Sequence, residues 1–433
     1  MVPRNNARIC FLSQSGELGG AETCLVETLE VLRERHPEWH LLLIVPDEGP
    51  LAAHARRLDS DVEVMPFPAA FARLGDSNLG HGARSGKTIR FAFSAAAGMP
   101  GLAKYSLGLR RRLQSYAPDL VYANGFKPQI VAALALPRSM RLVWHTHDYV
   151  SSRPIVARLY RRYWRRCARF LANSRDVAAD LRSVIGPRKD LPFDVIYNAV
   201  DSSRFSPMGP RLDLDGLSGL EPAPSGCVRV GLVATMAWWK GHRTYLEAIS
   251  RLRDSQIRAY VVGGPIYRTS GSESSLDELR EQVRRLGIGE RVGFTGFVAD
   301  TASAIRSLDI VVHASTRPEP FGRALIEAMA CGKPVITTGL GGSAEIISAG
   351  EGTLKCWPGE ADDLAATIAR LAADPALRKF LGDSARKTVV ENFSREQLAE
   401  NLERLWNQFS VGNRSVSVEP ARPLEENALA SGI

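Results

Sequence analysis

Two glutamates eight positions apart, Glu319 and Glu327, stand in the stretch DIVVHASTRPEPFGRALIEAMACGKPVI that begins at Asp309. Glu327 is the only charged residue between Ala324 and Cys331, in a run of Ala, Leu, Ile, Met and Cys with helical character. A carboxylate there must point into a wet cleft or meet a partner, because burying it alone is costly. Ionised, it has only acceptor oxygens, which suit hydroxyl donors. The helix starts near Phe321 and Gly322 and stops at Gly332, with Pro334 just beyond, the usual stop signals. Its start offers free backbone N–H groups and a partial positive charge, which suit a pyrophosphate.

Other groups could also do chemistry. A strand end reads Trp144-His145-Thr146-His147-Asp148. Two alternating histidines beside an aspartate could begin a zinc site, but no further His or Cys stands at ligand spacing, so no metal is expected. The histidines remain open between core groups and cleft-facing groups. A glycine-rich turn, GELGGAE over 16–22 with Gly19 and Gly20, follows the first apolar run and opens a helix. Many Rossmann-like folds carry such a turn, with or without a ligand. The six cysteines are scattered singly, with neither a Cys-x-x-Cys pair nor a disulfide spacing, and read as small core hydrophobes in a reducing compartment.

The elements that must position these residues follow a strand–helix alternation. Short unbroken apolar runs at 9–12, 41–45, 62–65, 120–123, 142–145, 170–172 and 195–197 predict parallel strands covered on both faces. A second series runs through 228–233, 260–262, 292–295, 310–313, 335–337 and 353–355. The fold class is α/β: two Rossmann-like doubly wound domains facing across a cleft, with ligands outside the carboxyl ends of the strands. The expected division is a first domain over 1–205, a Pro- and Gly-rich linker over 206–226 and a second domain over 227–392. A closing helix over 393–410 then packs back toward the first domain, and a mobile polar tail follows over 411–433.

No window reaches the ~18–20 apolar residues needed to span a bilayer, and the first twenty residues lack a signal-peptide core. The expectation is a cytoplasmic protein. The net charge of +8 is uneven: Arg158, Arg161, Arg162, Arg165, Arg166 and Arg169 share one helical stretch. That stretch reads either as a solvated face or as a peripheral contact with the anionic inner face of a membrane or a phosphorylated acceptor. Nucleic acid is not an expected partner, because no recognised nucleic-acid module accompanies the charge.

The stretch from Arg317 to Ile336 resembles the Glu-x(7)-Glu signature of retaining glycosyltransferases of family 4, which have the GT-B fold. The resemblance extends over most of the chain and is firmer after Gly231. It implies that Glu319 contacts hydroxyls of the transferred sugar and Glu327 the nucleotide ribose, with Phe321, Gly322 and Arg323 beside them. It implies that Lys240, followed by Gly241, holds the donor diphosphate. The family's arginine five residues earlier is Thr235 here, leaving the two-cation clamp incomplete, and Arg323 is a candidate to compensate. Gly341 and Gly342 resemble the loop whose amides approach the distal phosphate and sugar. Gly19 and Gly20 resemble the loop across the crevice. Asn198 is similar to a landmark at the domain junction. A cleft histidine is implied at His145 or His147, and the offset from the strand favours His147.

The family's reaction retains anomeric configuration without a metal or cofactor. It takes a nucleotide-diphosphate sugar as donor and a glycan, lipid-linked or small-molecule acceptor, in polysaccharide, glycolipid or glycoconjugate biosynthesis. Two alternatives stay in view: a nucleotide-sugar epimerase of the same fold, and a binding protein with weak catalysis, which Thr235 would suit. A redox enzyme is disfavoured because neither domain has a clean Gly-x-Gly-x-x-Gly turn after its first strand.

Overall fold

The unbroken apolar runs become strands buried on both faces. The computed structural model of the chain describes residues 6–72, 85–186, 192–252, 256–264 and 275–410. The first sheet comprises β1 (Arg8–Ser13), β2 (His40–Val45), β3 (Asp61–Val64), β4 (Leu120–Asn124), β5 (Leu142–Thr146), β6 (Arg169–Ala172) and β7 (Phe193–Val195). Its order is β3-β2-β1-β4-β5-β6-β7. The second comprises β8 (Val228–Val233), β9 (Ile257–Val262), β10 (Val292–Gly296), β11 (Ile310–His313), β12 (Val335–Thr337) and β13 (Thr353–Lys355), in the order β10-β9-β8-β11-β12-β13. All the pairings are parallel.

In each sheet the winding reverses once, between β1 and β4 and again between β8 and β11. At such a switch point the loops leaving two adjacent strands diverge and open a crevice. The loop after β8 carries Lys240 and the loop after β11 carries Glu319. Residues 79 apart in sequence are thereby brought side by side.

Apolar clusters cover both faces of each sheet. One face of the first sheet packs Phe11, Leu43 and Tyr122 against Leu398, Leu402, Leu405 and Trp406 of the last described helix, Arg395–Ser410. The chain therefore crosses between lobes twice, and the crossings lie together: Val200 N–H donates to the Phe393 carbonyl at 2.9 Å, and Val200 bridges Ser394.

The expected linker over 206–226 is not a loose connection. It contains a short helix, Leu214–Ser218, started by Asp213, which accepts from Gly216 N–H at 3.0 Å. Leu214 and Asp215 are buried. Asp215 accepts from Tyr260 Oη at 2.7 Å and from Ala223 N at 3.0 Å, and pairs with Arg258 and Arg229. Burial alone would raise its pKa, but these donors hold it below the ordinary carboxylate range. Five helical residues are too few to display a period among so many Pro and Gly, so composition concealed a strap bonded to the second sheet. The tail over 411–433 lies outside the described residues. Among the described residues no helix is long and apolar enough to cross a membrane.

Leu402 is 1% exposed between the last helix and the first sheet. Leu402→Ala should cost about 2–5 kcal/mol through lost burial and the cavity left behind. Urea denaturation followed by tryptophan fluorescence reads this directly, since Trp39 and Trp406 meet edge to face at 6.2 Å; an unchanged midpoint would mean the helix is not part of that core.

Candidate active site

Glu319 is 5% exposed. Its Oε1 accepts from Lys240 Nζ at 2.7 Å, lies 3.1 Å from His313 Nε2 and also accepts from the Ser315 hydroxyl. Burial by itself would raise this carboxyl's pKa. Lys240 and His313 outweigh it and hold Glu319 well below the usual carboxylate range, so it is ionised at neutral pH. The adjoining loops are stitched together: Thr316 N–H donates to the Trp239 carbonyl at 2.7 Å, and Gly341 bridges Glu319. Glycine is required in this corner. A Cβ at Gly241 would stand 1.9 Å from the Ala314 carbonyl oxygen, and one at Gly342 would stand 2.2 Å from that of Pro320.

The helix Arg323–Ala330 begins beside this carboxylate. Its N-cap, Gly322, has a φ of +112° and no side chain caps the first turn, leaving N–H groups available to an anion. Phe321 is only 2% exposed and packs against Tyr197 and Phe393, so its ring belongs to the core and only its backbone borders the site. Gly341 sits at φ +69° beside Glu319.

Arg323 does not supply the charge missing at Thr235. Its guanidinium donates to Glu27 of the first lobe at 2.8 and 3.0 Å and approaches Glu327 Oε1 at 3.4 Å. Burial opposes its charge, but the two carboxylates hold its pKa well above the ordinary value. One cation cannot neutralise two acids, and burial raises both Glu27 and Glu327 above their usual range. The cation that meets Glu319 is thus Lys240 alone among the two candidates, and Thr235 carries no charge. Glu327 lies at an interdomain contact whose partner, Glu27, has no period or motif to announce it.

His147 Nε2 lies 2.6 Å from Asn124 Oδ1, and Asn124 Nδ2 donates to the Ala21 carbonyl at 3.1 Å. With Asn124 so oriented, Nε2 carries the hydrogen and Nδ1 is an acceptor, with no partner among the described residues. Burial first, then the charge of Arg323, lowers His147 to about 3, so the ring is neutral. The His145 ring lies 3.9 Å from it, tilted by 48°, and is bonded to Tyr122 inside the core. Of the two, His147 is the one that feels the charge of Arg323 in the second lobe. Asn198 is buried, with Oδ1 lacking a partner among the described residues. In the first glycine turn, Gly19 is buried as the helix N-cap, whereas a Cβ on Gly20 would meet nothing within 4 Å. The sterically demanding position is Gly16, where a Cβ would stand 2.3 Å from the Asp47 carbonyl oxygen.

Several contributing residues carried no signal of their own. His313 and Ser315 were visible only as a strand end and its turn. Tyr149 donates to the Glu319 carbonyl at 2.9 Å across the cleft. Glu345 accepts from Arg175 N and Asp176 N, both at 3.0 Å.

Comparison with known proteins agrees with this geometry. A family model described as Glycosyltransferase Family 4 matches residues 18–204, and one described as Glycosyl transferases group 1 matches 223–388. The lipopolysaccharide core mannosyltransferase LpcC of Rhizobium leguminosarum is 30% identical over 227 residues, 52% of this chain and 62% of that protein. The D-inositol 3-phosphate glycosyltransferase of Rhodococcus opacus is 34% identical over 225 residues, 50% of this chain and 48% of that one. The chain spans about half the length of the curated relatives it matches. Among solved structures, Anabaena HepE in complex with UDP and glucose superposes with a TM-score of 0.71 at 26% identity, covering 92% of this chain and 99% of that one. The shared architecture is GT-B.

Two outcomes follow from the buried charges. Arg323→Ala leaves two buried carboxylates unpaired and should destabilise the protein by about 3–5 kcal/mol; an unchanged melting temperature would show that the triad is solvated. His242, fully buried next to Gly241, is lowered to about 4 by burial and by Lys240. A base whose folded pKa is depressed contributes stability above its unfolded pKa, and this is lost as pH falls toward the folded value. The melting temperature should therefore decline from about pH 6.5 to 4, with up to about 3 kcal/mol from this residue. In His242→Leu the decline should be shallower; an identical slope would remove the assignment.

Proposed function

Since the chain belongs to glycosyltransferase family 4, with the GT-B fold, we propose that it transfers a sugar from a nucleotide-diphosphate donor to a hydroxyl acceptor with retention of anomeric configuration. The observation that carries this reading is the Glu319–Lys240 pair beside the uncapped start of the Arg323–Ala330 helix. There the donor diphosphate lies against the helix N–H groups and Lys240, and Glu319 accepts from hydroxyls of the transferred sugar. Glu327 accepts from the ribose, and the free Nδ1 of His147 accepts from a donor or acceptor hydroxyl.

The chemistry is substitution at the anomeric carbon. The bond to the diphosphate oxygen breaks, the acceptor oxygen bonds on the same face, and the acceptor proton passes to the departing phosphate. The protein positions the reactants and stabilises charge on the leaving group. A Lys–phosphate contact contributes about 1.5–3 kcal/mol, and Lys240 must be shared between Glu319 and phosphate. The reaction as proposed uses neither metal nor cofactor. The glutamates bind hydroxyls and are not an acid–nucleophile pair.

The acceptor class is a glycan, a lipid-linked saccharide or a small polar molecule, in line with the lipopolysaccharide and inositol-phosphate relatives. For a cytoplasmic enzyme working at an anionic membrane, the cations free to dock are Arg158, Arg162 and Arg165, all exposed. Arg161, Arg166 and Arg169 are instead spent on the Val184, Ala133 and Leu136 carbonyls and on Asp194.

A melting-temperature screen against nucleoside diphosphates and their sugars tests the donor site, since a bound ligand raises the midpoint by mass action. UDP heads the panel because HepE was solved with it. With an acceptor in hand, Glu319→Ala and Lys240→Ala should each lose at least ~10²-fold in transfer while staying folded. Near-normal turnover in either variant would refute the site. Conversion of the donor to an isomer without release of nucleoside diphosphate would identify the epimerase alternative.

A further inference from the structure

The hydroxyl of Tyr149 stands where three parts of the molecule meet. Tyr149 lies three residues past β5, in the loop that carries His147 in the first lobe. Its single hydrogen lies between Asp176 Oδ2 at 2.5 Å and the Glu319 carbonyl oxygen at 2.9 Å, a three-centre arrangement. The same carbonyl accepts from Gly342 N–H at 2.8 Å. Gly341 makes the approach feasible: a Cβ there would stand 2.3 Å from the Tyr149 oxygen and 2.6 Å from the Glu319 carbonyl.

Asp176 is itself held from the other lobe. Glu345 places its two carboxylate oxygens on the backbone N–H groups of Arg175 and Asp176, capping the helix Arg175–Ile185, and accepts from Tyr197 Oη at 2.8 Å. Free N–H groups and a partial positive charge make a helix start a good seat for a carboxylate. The bonds run without a gap from Tyr197 through Glu345, the helix start, Asp176 and Tyr149 to the main chain of Glu319, and through its side chain to Lys240.

We propose that Tyr149 is a positioning residue for the transfer reaction, fixing the main chain of Glu319 from the opposite lobe, with Glu345 as the anchor that sets Asp176 beneath it. This rests on the transferase reading of the same site. The side chain of Glu319 is set by Lys240, His313 and Ser315, and its backbone by Tyr149 and Gly342. Without the phenol, the Asp176 carboxylate and the Glu319 carbonyl face the same space with no proton between them, and the loop that carries the catalytic carboxylate relaxes away. Tyr149 touches no reacting atom in this scheme. It makes correct placement of Glu319 conditional on closure of the two lobes.

The test is Tyr149→Phe in the full chain, with two independent readouts. Without any nucleotide, hydrogen exchange should speed up in peptides covering 315–322 and 339–348, because a local opening that the hydroxyl suppressed becomes easier. In transfer assays kcat should fall about 10- to 30-fold, with donor KM within about threefold and little change in melting temperature, since a small misplacement costs rate more than binding. Glu345→Gln leaves one oxygen to serve three donors and should show the same pattern at about threefold in kcat; it also serves if Tyr149→Phe folds poorly. Unchanged exchange, an intact kcat, or a kcat that falls only in step with melting temperature and a rising KM would each overturn the proposal. Should the unaltered protein transfer no sugar, the transferase reading fails, and the exchange experiment still decides whether the clasp exists.

Discussion

A carboxylate 5% exposed to solvent needs its charge balanced on the spot, and much of the active region answers that demand at Glu319. Lys240 comes from the loop after β8, while His313 and Ser315 come from the end of β11. The doubly wound sheet makes the meeting possible, because β8 and β11 are neighbours from which the winding runs in opposite directions. The carboxylate stays ionised because the cation is close, and it stays in place because three glycines let backbone approach backbone. In the proposed donor placement the diphosphate competes with Glu319 for Lys240, so ligand and protein share one positive charge. This is a tighter economy than a two-cation clamp would give, and Thr235 is the reason.

How legible this was depends on distance along the chain. The strand, turn, helix and stop around Glu319 and Glu327 all lie within forty residues, each with a local signal: an apolar run, two prolines, a glycine cap, a proline stop. The parallel two-domain class was legible from apolar runs that do not alternate. Lys240 was legible through resemblance. Contacts that cross the cleft were not: Glu27 with Arg323, Tyr149 with Glu319 and Glu345 with Asp176 join segments with no periodicity in common. Arg323 shows the cost. Its position one residue past Gly322 suggested a phosphate partner, whereas Glu27, which sequence could not place, and Glu327 on its own helix had already engaged it. The short helix inside 206–226 was hidden for another reason, because Pro and Gly content speaks of turns and says nothing about a buried Asp215.

The two lobes are joined by polar contacts at the cleft and by paired crossings near Val200 and Ser394. The Glu27–Arg323 pair and the Tyr149 hydroxyl also join the two lobes, on the cleft side.

The last helix has a consequence for synthesis. One face of the first sheet, assembled from residues before 200, is covered by Leu398, Leu402, Leu405 and Trp406. The amino-terminal half emerges from the ribosome first, yet it waits for the whole second lobe to be made before that face is sealed. Until then the part of that face not covered by the first half's own helices stays open to solvent. For the same reason the first half lacks part of its own core, and a break in the chain between the lobes would strand that cover on the other half.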